Sequence, residues 1–387
     1  MATDEVPTRW TASRLALALA GALGLPPAVA APVVDLLDLP ARASPRSATA
    51  LQVGVALAGK RLVSVGERGF VRVSDDGGKT WAQADVPVAV TLTAVQFVDA
   101  RHGWAVGHDG VVLSSDDAGS HWVRRFDGTQ ANAMVGAAAS ARVAAARAEL
   151  AAARDADSRE RAGKAVEQSE FALDDAKAAA AFGPSRPLLA LGFETPAAGW
   201  VVGSYGQIFS TTDGGRQWRF EGTRMPNPEG LHLNSLSVVG DTLLIAAEAG
   251  QVFRSDDRGA TWRRLDTGGK GALYGVIDLG GPAARSLLAF GFAGRVYRTD
   301  DGGERWSAAG ESKHVPTLVA GQRLPSSEVL MLGQDASLWR SAAQGRSLRA
   351  VGRAGLPRAA AFVVVPGARA VVVGLGGAAV VNLDDRP

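Results

Sequence analysis

Short runs of alternating apolar and polar residues, broken by Gly- and Asp-rich bends, occupy most of the 387-residue chain. In "GERGFVRV" (66–73) Val71 and Val73 flank Arg72, the period-two pattern of a strand with one buried face. "LQVGVAL" (51–57), "RLVSVGE" (61–67) and "TWAQAD" (80–85) are also of strand length, with turn residues between them. Residues 51–85 therefore predict four short strands. One stretch departs from the pattern. From 137 to 182 the chain is Ala-rich, charged and almost free of β-branched residues, a helical composition. Val143 and Leu150, then Val166 and Leu173, are seven apart, and "DSRE" (157–160) has the form of a capping box. The expectation is an antiparallel helical hairpin with a thin apolar seam, its second helix opening at Asp157.

The strand pattern repeats. "SDDGGKTW" (74–81) returns as "SDDAGSHW" at 115, "TTDGGRQW" at 211, "SDDRGATW" at 255 and "TDDGGERW" at 299. Each copy keeps a hydroxyl, an Asp, a Gly and a Trp in register. These are Ser74, Asp76, Gly78 and Trp81, then Ser115, Asp117, Gly119 and Trp122, then Thr211, Asp213, Gly215 and Trp218. Ser255, Asp257, Gly259 and Trp262 follow, and Thr299, Asp301, Gly303 and Trp306 complete the set. The tryptophans are 41, 96, 44 and 44 residues apart, and the long gap holds the helical stretch. A glycine-led hairpin precedes every copy. Two decayed units, from 333 ("GQDASLWRSAAQGRSL") and 374 ("GLGGAAVVNLDD"), keep that hairpin while losing the Asp or the Trp. Seven units of four short strands predict an all-β fold, a seven-bladed β-propeller with an inserted α-helical hairpin.

The repeated box could be taken for a calcium loop, but an apolar Trp arrives where further ligands and a bidentate acid should stand. Asp at a bend accepts backbone N–H groups, Gly permits positive φ, and Trp buries a large ring, so the boxes read as structural. They resemble the Asp-box, or BNR, repeat of sialidases, some glycosidases and the photosystem II stability and assembly factor family. The phrase "LTAVQFVDARHGWAVGHDGVVLSSDDAG" (92–119), echoed by "GWVVGSYGQIFSTTDGG" at 199, is most similar to that last family and its non-photosynthetic bacterial relatives. The resemblance covers about 50–380 apart from the insertion. It implies an exported, non-enzymatic scaffold that binds a membrane protein complex and helps to assemble or operate it. Among the non-photosynthetic relatives an RND-type transporter is the favoured partner.

Antiparallel strands in a blade place all the box bends on one face. The turns between second and third strands share the opposite face with the links between blades. The insertion is such a link, between blades 2 and 3. It therefore joins Glu67, Arg68, His108, Asp109, Tyr205, Glu248, Phe292, Gln334 and Asp335 on the candidate binding face, since loops on a rigid scaffold carry function.

Composition narrows the alternatives. The net charge is +2, without the clustered basic residues of a nucleic-acid binder. No Cys is present, which excludes disulfides, thiolate metal sites and a Cys nucleophile. Between 129 and 187 eight basic and eight acidic residues cancel, so the hairpin is no electrostatic anchor. Arg9 and Arg14 precede the apolar run 15–25, and "PPAVAA" follows, the form of a signal peptide cut after Ala30. The expected layout is a signal peptide over 1–30, a propeller over 31–387 and the hairpin insertion over 129–187. The mature chain is expected to be exported to the periplasm without a membrane span. The alternative is a glycan-binding or sialidase- or glycosidase-like propeller, with Glu67, Asp109, Glu248 and Asp335 around the channel. The five histidines have no metal-ligand spacing, and no phosphate loop or nucleophile elbow occurs, so neither cofactor nor metal is expected. The pairs Arg124–Arg125 and Arg263–Arg264 fall on outermost strands, as a binding rim or as edge protection.

Overall fold

The computed structural model describes residues 34–309, 314–341 and 347–383. Their strands form seven sheets in which hydrogen-bonded neighbours follow chain order, six of four strands and the last of three. Blade 1 consists of Gln52–Ala58, Arg61–Gly66, Val71–Ser74 and Ala82–Gln83, the four strands that the hydrophobic pattern predicts. Blade 7 has Arg358–Val365, Arg369–Leu375 and Gly377–Asn382. The innermost strands stand side by side around a central channel, and that of blade 1 returns against that of blade 7. The fold is a seven-bladed β-propeller.

The core is divided among the gaps between blades. One apolar cluster joins Val63 and Val65 of blade 1 to Ala105 and Leu113 of blade 2, and equivalent clusters follow at each later gap. The last sets Leu62 of blade 1 against Val365 and Val371 of blade 7. Each box Trp sits in such a gap: Trp122 with the blade 1 valines, Trp218 with Trp104 and Val106, Trp262 with Trp200 and Val202. Truncating one of these rings to Ala removes about 3–5 kcal/mol of packing. Polar side chains on the innermost strands tie successive blades together. The Gln96 amide donates to the Phe193 carbonyl (3.2 Å) and accepts the Phe193 N–H (2.8 Å). Ser237 Oγ donates to the Val276 carbonyl (2.7 Å), and the Gln322 side chain accepts the Val364 N–H (3.2 Å). Each tie satisfies groups that would be costly to leave unpaired beside the channel.

The insertion forms two helices, α1 (Gly128–Ala152) and α2 (Ala156–Ala181), joined by a short bend. Asp127 caps α1 in a capping box with Gln130. The second cap is Asp155, whose carboxylate accepts the Ser158 N–H at 2.7 Å. Asp157, expected to open that helix, instead lies in its first turn, because Asp155 stands the three residues before Ser158 that the cap needs. The seam uses small residues: Val143 and Ala146 of α1, with Ala162, Ser169 and Ala176 of α2, are buried.

The expected signal peptide, 1–30, lies outside the described residues. The sequence reading also expects "PVVDLLDL" (32–39) to supply a fourth strand of blade 7. Residues 32 and 33 are outside the described residues, and from Leu36 onward the segment docks elsewhere. The Leu36 carbonyl accepts the Ala89 N–H (2.8 Å), Val86 accepts the Ala41 N–H (2.9 Å), and Leu37 is buried among Val86, Val88 and Val90. The segment thus covers the link from blade 1 to blade 2, where a row of valines needs a lid. Among the described residues blade 7 has three strands, and it meets blade 1 through apolar packing of Leu62 on Val365 and Val371.

Candidate functional site

On the face opposite the boxes, the turn between second and third strands is built alike from blade to blade. Its first residue donates its N–H to the carbonyl just before the innermost strand: Glu67 to Leu51 (3.0 Å), His108 to Thr91 (2.8 Å), Ser204 to Pro187 (3.1 Å), Glu248 to His232 (3.3 Å), Phe292 to Ala272 (2.9 Å) and Gln334 to Thr317 (2.8 Å). Its second residue takes a left-handed conformation: Arg68, Asp109, Tyr205, Ala249 and Ala293 have φ between 54° and 57°. Such a conformation strains any residue with a Cβ, and here it lifts the side chain off the rim. In blade 6 the positive φ falls one residue later, at Ala336 (68°), so Asp335 is not the structural equivalent of Tyr205.

The hairpin rises from this same face. A Cβ on Gly110, next to Asp109, would lie 2.7 Å from Gly128 Cα, where α1 begins. From there a chain of contacts crosses to blade 4. Asp175 of α2 pairs with Arg186 (3.0 Å), and the Arg186 guanidinium lies 4.7 Å from the centre of the Tyr205 ring. Tyr205 meets His232 edge-on (4.9 Å between centroids), and the Glu248 carboxylate accepts the His232 N–H at 2.9 Å. The structure therefore brings Tyr205 and Glu248 together through His232, while Glu67, Arg68, His108, Asp109, Phe292, Gln334 and Asp335 stay on the turns of their own blades. Tyr205 and Phe292 are 58% and 56% exposed, unusual values for aromatic side chains. Arg186 and His232 were not singled out from the sequence, because both lie in irregular links between blades, where no repeat marks a position.

The acids weighed for catalysis have structural partners. Glu67 accepts the Leu51 N–H (3.1 Å), as Glu248 accepts that of His232, and Asp335 accepts the Ser337 N–H (3.1 Å) and hydroxyl (2.5 Å). A cavity of about 690 Å³ does open at the channel mouth, but on the box face, beside Glu194, Asp278 and Arg323. Glu194 there is paired with Arg258, and Phe193 is stacked on Trp104, so neither group is offered to a sugar. Among the described residues no group of three or more His, Asp or Glu is placed to hold a metal ion, and no helix is long and apolar enough to cross a membrane. The basic pairs on the outer strands are engaged as well. Arg124 holds Asp38 (3.2 Å), Arg263 holds Asp256 (3.2 Å) and Glu304 (2.5 Å), and Arg264 holds Glu229 (2.8 Å).

The boxes share one geometry. Ser74 donates its hydroxyl to Asp76 (2.9 Å) and accepts the Gly78 N–H (2.9 Å), and the Trp81 indole N–H reaches the Gly78 carbonyl (3.1 Å). Ser115, Asp117, Gly119 and Trp122 repeat it at 2.9, 2.9 and 3.0 Å, as do Thr211, Asp213, Gly215 and Trp218 at 2.9, 2.9 and 3.1 Å. Ser255 with Asp257 and Gly259, and Thr299 with Asp301 and Gly303, keep the hydroxyl bonds. The buried indole nitrogens of Trp262 and Trp306 find no acceptor among the described residues. Positive φ at every box Gly, from 83° at Gly119 to 102° at Gly303, is what demands glycine there. The Asp carboxyls are held low. The Thr80 hydroxyl and N–H depress Asp76, and Thr261 brings Asp257 to about 2. Burial pushes Asp117 up, yet hydrogen bonds from His121 and Ser115 outweigh it and leave it at about 2. These bonds from the bend's own N–H and hydroxyl groups hold each carboxylate to the turn it closes.

The ring and its boxes define an Asp-box β-propeller whose turn face carries a helical hairpin. The chain belongs to the Photosynthesis system II assembly factor YCF48 family, whose model matches residues 61–138 and 181–351. The span between the two matched blocks, 139–180, is most of the hairpin. The chloroplastic photosystem II stability/assembly factor HCF136 of Guillardia theta is 42% identical over 48 residues, a match that spans only 12% of this chain and 12% of that protein. Among solved structures, YCF48 bound to D1 peptide is 15% identical with a TM-score of 0.57, covering 87% of this chain and 95% of that one. YCF48 from Cyanidioschyzon merolae is 14% identical with a TM-score of 0.58, covering 87% and 96%. The WD40 β-propeller domain of Doa1 is 10% identical with a TM-score of 0.56, covering 89% and 95%. At such identities the likeness is one of fold.

Proposed function

We propose that the chain is a non-catalytic scaffold that binds a membrane protein through its turn face and hairpin. The observation that carries this reading is the coincidence on one face of exposed Tyr205 and Phe292 with a hairpin that blade 3 braces through Arg186. Aromatic and Arg side chains are the usual anchors of protein interfaces. Family membership supports it, because a YCF48 structure is described as bound to a peptide of D1. Engagement of Glu67, Glu248 and Asp335 by backbone N–H groups supports a role without catalysis. The signal-like segment 1–30 supports export to the periplasm, and the likeness to non-photosynthetic relatives makes an RND-type transporter the favoured partner. The test is affinity purification of the tagged protein from crosslinked, detergent-solubilised membranes of its host, with and without residues 130–186. Enrichment of one membrane protein that is lost with the hairpin is expected. Equal recovery of that protein without the hairpin would refute the hairpin's role, and enrichment of no membrane protein would refute the scaffold.

A further inference from the structure

Between the hairpin and blade 3 lies a cavity of about 220 Å³. Its floor is apolar, formed by Ala139 of α1, Ala172 and Ala176 of α2, and Phe220 of blade 3. That volume is below the range of about 300–1,000 Å³ that holds a small-molecule ligand, and it suits one anchoring side chain of a larger partner. Its charge is not balanced. The cavity is lined by two cations, Arg142 and Arg186, and one anion, Asp175, which leaves one net positive charge. Asp175 and Arg186 neutralise each other at 3.0 Å, and Arg186, with a side chain only 15% exposed, is further held against Tyr205. Arg142, exposed on α1, has no acidic partner among the described residues.

We infer that this cavity takes an apolar side chain from an extended acidic peptide segment of the partner, with a neighbouring carboxylate of that segment paired to Arg142. The inference rests on the scaffold reading and adds to it the chemistry of the recognised segment. The alanines supply a methyl-lined floor for a Leu-sized group, the Tyr205 ring and Arg186 close one wall, and Arg142 fixes the direction of the peptide by its charge. The helices α1 and α2 supply eight of the seventeen lining residues, and six of those eight fall within 139–180, which the family model does not match.

The test uses the mature chain labelled with ¹⁵N and two capped probes, acetyl-Asp-Leu-Asp-amide and acetyl-Lys-Leu-Lys-amide. The acidic probe is expected to shift the amide signals of Ala139, Arg142, Ala172 and Tyr205, and the basic probe to leave them in place. Arg142→Glu should weaken the acidic probe by more than about tenfold, since like charges oppose each other in the variant. Ala139→Phe should block the acidic probe by filling the cavity, and unchanged signals from blades 5 and 6 report that each variant is folded. Equal binding of the two probes, shifts confined to other blades, or an Arg142→Glu chain that binds as tightly as the parent would each overturn the inference. If membrane-protein recovery depends on the hairpin but not on Arg142, the scaffold stands and this site falls.

Discussion

Asp117 shows how much of this fold is decided by single hydrogen-bonding groups. Its carboxylate accepts the Ser120 and His121 N–H groups at 3.0 Å each, so the bend between third and fourth strands is held by one side chain. The box carboxyls are depressed below the ordinary value, with Asp117 and Asp257 at about 2. A carboxyl that is more acidic in the folded chain stabilises it above the unfolded pKa of about 3.9, and that contribution disappears as pH falls through the folded value. Urea midpoints should therefore stay level from pH 7 to about 4.5 and drop between about 4 and 2. Replacing Asp76, Asp117 and Asp257 by Asn should lower the midpoint at pH 7 and make the acid drop shallower. An equally steep drop in the variant would show that the boxes are not the acid-sensitive groups. The turns on the other face store strain of a different kind. Ala249, exposed and at φ 54°, gains nothing from its methyl group, so Ala249→Gly should stabilise the chain by about 0.5–1 kcal/mol in urea unfolding.

At the level of elements, the hairpin is an addition whose two ends meet. A Cβ on Gly128 would lie 2.8 Å from Pro184 Cα, so residues 130–182 can be replaced by a few glycines without stretching the link. Because Ala131, Met134 and Val135 pack into the core between blades 2 and 3, that excision should lower the thermal midpoint by several degrees while leaving one cooperative transition. A loss of cooperative unfolding would show instead that the helices hold blades 2 and 3 together. These elements were largely legible in the sequence. Alternation at Val71, Arg72 and Val73 marks a strand, and the Ala-rich run marks helices, because both signals are local. The sequence pattern favours Asp157 with Glu160 as the second cap, whereas the structure caps α2 with Asp155 on Ser158. Either Asp stands three residues before a residue that can close the box, and only the backbone decides between them. The seam was read from Val and Leu at spacing seven, whereas Ala162, Ser169 and Ala176 hold its centre. Small residues allow close helix approach but give no signal in a hydrophobic pattern.

Across the whole molecule, the number of blades could be read from the five intact boxes and two decayed units, since every repeat builds one sheet. Closure could not. It depends on contacts between the first and last blades, and the packing of Leu62 on Val371 leaves no mark in either repeat. Nor could the segment from Leu36, whose place over the blade 1–2 link is set by the valines beneath it. The candidate site was legible only as a face. Repetition locates the turns at Tyr205, Glu248 and Phe292, while Arg186 and His232, which join the hairpin to that face, lie in unrepeated links. The central claim is that the turn face, with its hairpin, is the surface that meets a membrane protein. It is tested most directly by placing a photo-crosslinking amino acid at Arg68, Tyr205 or Phe292 on that face, and at Lys79, Arg216 or Arg305 on the box face, in the living host. The account predicts adducts with one membrane protein from the first three positions and none from the last three. Adducts from the box face, with the turn face silent, would contradict it.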